Sequence, residues 1–139
     1  MIGNYAEFIE YFSQKEKPKQ VLSEIIDNEY SCNDKELPQV YKDVEKEYSQ
    51  INIPDDNLNS DTISMIFWDM AFLSDEFICY CLPILIPKAI EYEDTVLLSQ
   101  LKKLKLEKLS KNDANEVQKL IIIMEADERF RYEEVGTQI

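Results

Sequence analysis

The stretch FWDMAFLSDEFICYCLPILIPKAI, residues 67–90, is the most apolar part of an acidic chain and carries its only tryptophan, Trp68. The remainder of the chain is expected to pack around it. Ser74 suits an N-cap, because its hydroxyl accepts from an orphan N–H of a starting helix, and Asp75 and Glu76 set negative charge against the positive end of the dipole. A helix is therefore expected from Asp75. Phe77, Ile78, Cys81, Leu82 and Leu85 recur at spacings of three and four, and Tyr80 and Ile84 broaden that face until little polar surface is left. Such a helix belongs in the middle of a bundle. Pro83 removes the bond to the carbonyl of Cys79 and its ring crowds that carbonyl, so the helix is expected to kink at Leu82–Pro83 or to stop and restart there. Pro87 repeats the argument four residues on.

Working outward, 139 residues fit one domain with a core of its own. Two glycines and five prolines leave few tight turns, which disfavours a sandwich or barrel. The expectation is an all-α, single-domain bundle of about six or seven helices around the proline-kinked hydrophobic helix. A first helix opens at Asn4 with Tyr5, Phe8, Ile9 and Phe12 on one face and Glu7, Glu10 and Gln14 outward. Pro18 suits the first turn of a second, carrying Val21, Leu22, Ile25 and Ile26, before a polar loop over residues 28–35. Pro38 opens a third, where Leu37, Val40, Tyr41, Val44 and Tyr48 form a stripe opposite Asp43, Glu45, Lys46 and Glu47.

The polar, proline-bearing residues 51–61 read as the longest loop, with Ser60 or Asp61 capping a helix through Ile63, Ile66, Phe67 and Met70. Beyond the central stretch, Asp94 or Thr95 opens a helix with Val96, Leu97, Leu101 and Leu104 apolar. Lys102, Lys103, Lys105, Lys108 and Lys111 form the one basic region, a pattern more often a solvated helix end than a binding site. Ser110 with Asp113 resembles a capping box, and Val117, Leu120, Ile121 and Met124 make a buried stripe widened by Ile122 and Ile123. The polar tail, residues 131–139, is expected to fray.

The chemistry is limited by what the chain contains. It has no histidine, which removes the commonest general base, the usual nucleophile pairs and most zinc sites. Gly3 and Gly136 are the only glycines, so no phosphate-cradling loop can be written. Asp55, Asn57 and Asn59 imitate the start of a calcium loop, but Ser60 and Ile66 stand where glycine and glutamate are required. Cys32, Cys79 and Cys81 do not make a disulfide framework and read as small hydrophobes in a reducing compartment. No catalytic residue, cofactor or metal is expected. The start of the chain lacks the pattern of a signal peptide, and no run reaches the eighteen or so apolar residues of a membrane span, so a cytoplasmic protein is expected.

A formal charge of −13 argues against nucleic acid as a direct ligand and for a basic partner or simple solubility. The densest carboxylates with the longest loop nearby are Asp43, Glu45, Glu47, Asp55, Asp56 and Asp61, which are the candidate partner-binding residues.

Residues 71–85, AFLSDEFICYCLPIL, resemble the signature of a family of small bacterial helical proteins of unknown function, in which a phrase like F-L-S-P-E-A-F-R-Y-Y-L-P precedes an apolar helix. Leu109-Ser110 and the helix to Met124 resemble that family's closing element. Asp75 stands where the phrase has proline, with one residue fewer before Phe77. Small acidic bacterial proteins of this kind often look like immunity proteins, which neutralise a toxin from the same cell. The resemblance implies a protein that blocks a basic toxin domain sterically and electrostatically; the alternative is a helical adaptor or regulatory domain binding another protein.

Overall fold

The computed structural model describes residues 5–23, 26, 29, 30, 36–52 and 60–130. Among them are six helices: α1 (Ala6–Ser13), α2 (Gln39–Ser49), α3 (Ser60–Asp69), α4 (Asp75–Tyr92), α5 (Val96–Lys103) and α6 (Lys111–Ala126). Short 3-10 turns occupy Met70–Phe72, Leu106–Lys108 and Glu128–Phe130. The protein is an all-α bundle, and no helix of the described residues is long and apolar enough to cross a membrane.

The central position of α4 follows from its side chains. Cys79 and Cys81 lie about 200° apart around a helix axis, yet both are buried. A helix buried on opposite sides must be enclosed by its neighbours, and α4 packs against α1, α3 and α5. Its start is built as the sequence predicts. The Ser74 hydroxyl accepts from the Phe77 N–H at 3.1 Å, and Asp75 and Glu76 occupy the first turn. The helix then continues without a break through Pro83 and Pro87, so the expected stop and restart does not occur. Burial of Leu82, Leu85, Ile86 and Ala89 around the two rings outweighs the missing backbone donors, as tertiary packing often overrides propensity.

The expected helix from Pro18 is corrected. Val21 and Leu22 are extended and buried, and Leu22 bridges antiparallel to Leu73. The Ser23 N–H donates to the Phe72 carbonyl at 2.8 Å and the Ser74 N–H to the Val21 carbonyl at 2.7 Å. The Ser74 hydroxyl donates in turn to the Gln20 carbonyl at 2.7 Å. The residues just before α4 thus present free backbone groups that an extended partner satisfies better than a helix, whose groups are already bonded to each other. Helical backbone appears only later, at Ile26, Glu29 and Tyr30; Ile25 and residues 31–35 lie outside the described residues.

Two apolar stripes are narrower than expected. On α2 only Tyr48 is fully buried, and Val40 is exposed. Pro38 stands as the N-cap, one residue before the first turn. On α6, Val117, Leu120 and Met124 are buried, but Ile122 is 65% exposed, because it sits roughly 200° from Leu120 around the helix. The Ser110–Asp113 cap forms as expected, with the Ser110 hydroxyl accepting from the Asp113 N–H at 3.1 Å. The Asn4 cap and residues 131–139 lie outside the described residues.

Candidate protein-interaction surface

Helix α3 is fixed from within and leaves one large side chain outside. Ile66 and Met70, four apart, are buried, and the Tyr48 hydroxyl of α2 donates to Asp69 at 2.8 Å. These anchors set the rotation of α3 and turn Trp68 outward, where it is 84% exposed. The only tryptophan is therefore not part of the core that the sequence places around it. Its neighbour Phe67 takes the inward position and packs on the core.

The end of α4 supplies the opposite wall. Glu93 adopts a left-handed conformation (φ 51°, ψ 42°) and closes the helix. Its N–H donates to the Ile90 carbonyl at 3.3 Å, and the Asp94 N–H donates to the Ala89 carbonyl at 3.0 Å. This pair of bonds is the Schellman arrangement, usually made with glycine. Asp94 then accepts from the Val96 N–H at 2.9 Å and helps to open α5. As a result Tyr92, Asp94 and Val96 face Trp68, Phe67 and Ser64 across a cleft of about 270 Å³.

Lys88 also lines this cleft. Its ammonium lies 4.7 Å from the centre of the Tyr92 ring and 3.8 Å from Glu91. Tyr92 is 62% exposed and Val96 is 40% exposed. Tryptophan and tyrosine grouped at one exposed place are the residue types that anchor protein–protein contacts. The spacing of Trp68 from Ile66 and Met70 was a usable signal for this surface, since it puts Trp68 on the other side of the helix.

The carboxylates expected to bind a partner are only partly brought together. Asp43, Glu45 and Glu47 are exposed on α2, and Asp61 is exposed in the first turn of α3. Asp43 and Glu47 share one side of α2, but Glu45 lies about 200° from Asp43 around the axis. Lys42 and Lys46 are interspersed among them. Lys42 pairs with Glu36 at 2.7 Å, and Asp43 accepts from the Gln39 amide at 2.9 Å. Asp55 and Asp56 lie outside the described residues. Asp61, Ser64 and Trp68 share a face of α3 by their spacing of three and four; Ser64 and Trp68 line the aromatic cleft, and Asp61 stands about two turns before Trp68.

The basic region is divided. Lys102 pairs with Glu125 at 2.7 Å, while Lys103, Lys105 and Lys108 line a wider groove of about 500 Å³ whose walls include Asp75 and Glu76. The Asp75 carboxylate there accepts from the Lys105 N–H at 3.0 Å. Carboxylates and ammonium groups thus share the groove.

Buried polar chemistry is found where helices are joined. Asp113, on α6, accepts from the Tyr11 hydroxyl at 2.7 Å and from the Lys15 ammonium at 3.0 Å. Burial acts to raise its pKa, but the bonds from Lys15 and Tyr11 outweigh this and hold the carboxyl below its usual range. Burial, with the bond to Asp113, pushes the Tyr11 phenol up to about 12. Cys79 and Cys81 are pushed up to about 12 by burial and are protonated, unreactive thiols at neutral pH. No group of three or more metal-ligating side chains occurs among the described residues.

No known protein family, characterised protein or solved structure matches the chain.

Proposed function

We propose that the protein is an immunity-type binding protein of a bacterial cytoplasm, one that neutralises a basic toxin domain by covering it. The observation that carries this reading is the charge of −13, displayed in part by the exposed carboxylates Asp43, Glu45, Glu47 and Asp61 on two linked helices. Such a field attracts a cationic domain from a distance and raises its association rate, while a rigid bundle denies it substrate without any turnover. The resemblance of residues 71–85 to small bacterial proteins points the same way. A helical adaptor for another protein is the second reading, and the exposed Trp68–Tyr92 cleft is the feature that favours it, since aromatic anchors serve any protein partner.

The test is co-expression with a basic toxin domain encoded beside the gene, followed by binding kinetics at several salt concentrations. A tight one-to-one complex, restored cell growth and association that slows with salt are expected. Asp43→Lys with Glu47→Lys, and separately Asp55→Lys with Asp56→Lys, should slow association and flatten its salt dependence without loss of folding. A partner that is itself acidic, or a complex indifferent to salt, would remove the toxin-blocking reading and leave the adaptor.

A further inference from the structure

We propose that the Trp68–Tyr92 cleft is a seat for an arginine side chain presented by a basic protein partner. The inference deepens the binding reading above and depends on it for the sign of the partner's charge. Three observations lead to it.

The cleft is small and open to solvent, of a size to seat one long side chain. Its volume of about 270 Å³ falls just below the ~300–1,000 Å³ typical of small-molecule sites. Its walls are large exposed aromatic and aliphatic groups, Trp68, Tyr92 and Val96, at the ends of helices whose other large apolar side chains are mostly buried. A flat, apolar wall with carboxylates nearby matches a guanidinium, which is planar, weakly hydrated and stacks on aromatic faces.

The cleft already holds a cation in this manner. Lys88 places its ammonium over the ring of Tyr92, with Glu91 as its counter-ion, and its side chain is only 13% exposed. Trp68, the better cation-binding ring by its larger π-surface, is left open. Asp94 lines the cleft, and Asp61 lies on the same face of α3 as Trp68. Lys88 is the one cation among the lining residues and its charge is met by Glu91, so the surroundings are acidic.

The same charges argue against a second copy as the occupant. A two-fold contact through this cleft would bring two chains of −13 together. An anionic membrane surface would repel the chain for the same reason.

The probes are a short peptide with one arginine between leucines and the same peptide with uncharged citrulline in place of arginine. Each is titrated while the emission of Trp68 and the backbone amide NMR spectrum are followed. Saturable shifts confined to residues around 64–68 and 88–96 are expected, with the citrulline peptide about five-fold weaker or worse, the scale of a cation–aromatic contact. Trp68→Ala should abolish saturation and Trp68→Phe should restore part of it. Equal binding of the two peptides, or shifts unchanged by Trp68→Ala, overturns the proposal. So does self-association in sedimentation equilibrium that Trp68→Ala abolishes, or a blue shift of Trp68 on adding neutral phosphatidylcholine vesicles.

Failure here is separable from failure of the toxin-blocking reading. A toxin complex unaffected by Trp68→Ala but slowed by Asp43→Lys with Glu47→Lys overturns the cleft and keeps the blockade. Arginine-specific binding at Trp68 with no toxin neutralised does the reverse.

Discussion

The phenol of Tyr11 donates a 2.7 Å hydrogen bond to the carboxylate of Asp113, 102 positions later in the chain. Lys15 meets the same carboxylate at 2.8 Å, and the Ser110 hydroxyl accepts from the Asp113 N–H. One side chain thus joins α1 to α6 while its own backbone completes a helix cap.

That junction makes stability depend on pH in a predictable direction. The pKa of Asp113 is lowered in the folded protein, so its contribution is complete above the unfolded value, about 3.9 for an aspartate, and is lost as pH falls through the folded value. Asp113→Ala should cost about 1.5–3 kcal/mol at neutral pH, the range for bonds to a charged group. Urea midpoints of parent and variant, measured from pH 7 downward, should converge in the acid limb. A gap that stays constant there would show that the ionised carboxylate is not what Lys15 and Tyr11 hold.

Phe77 and Leu82 have no exposed surface and lie on the enclosed helix α4. Phe77→Ala and Leu82→Ala should each destabilise by about 2–5 kcal/mol, the range for emptying a core site. Chemical denaturation gives the value directly. A variant that melts with the parent would show that the bundle is not built on this helix.

Glu93 is the one non-glycine residue with positive φ among the described residues. The left-handed conformation costs a residue with a Cβ roughly 1–2 kcal/mol, and the capping bonds at this turn are made by the backbone. Glu93→Gly should therefore stabilise by about 1 kcal/mol, less the greater chain entropy of glycine when unfolded. Thermal denaturation followed by circular dichroism should show a raised midpoint; a lowered one would mean that the Glu93 side chain contributes more than the strain.

Trp68 is the only tryptophan and stands 84% exposed. The native protein should emit at the red wavelength of a hydrated indole and shift little when unfolded in urea. Trp68→Ala should change stability by less than about 0.5 kcal/mol, as surface substitutions do. A blue-shifted native spectrum would place the indole in the core and dissolve the cleft.

These features differ in how far they could be read from the chain alone. Ser74 and Ser110 were legible as caps, because the groups they satisfy lie three residues away and the signal is complete in the local sequence. The enclosed α4 was legible for a similar reason, since its apolar residues cover the whole circumference. Leu22 was not legible as an extended residue, for its bridging partner Leu73 lies far along the chain and no local spacing encodes the pairing. Asp113 was readable as a cap residue, but its contact with Tyr11 depends on how α1 lies against α6. Trp68 is turned outward by its spacing of two from both Ile66 and Met70, a signal that the apolar run around it masks. The carboxylates of α2 were readable as exposed; that Lys42 and Lys46 dilute them was visible in the spacing.

The Tyr5 hydroxyl reaches Asp127 at 2.7 Å, and its ring meets Phe130 edge-on at 6.4 Å between centres. During synthesis, α1 leaves the ribosome with Tyr5, Phe8 and Phe12 uncovered, and it waits for α4 and then for residues 113–130 before that face is closed. At ~5–20 residues per second the wait is on the order of ten seconds. For that interval the nascent chain exposes an aromatic edge on a segment too short to hold a helix alone. Helix α1 is thus made well before the elements that secure it, and the time for which its apolar face stands open follows the rate of translation.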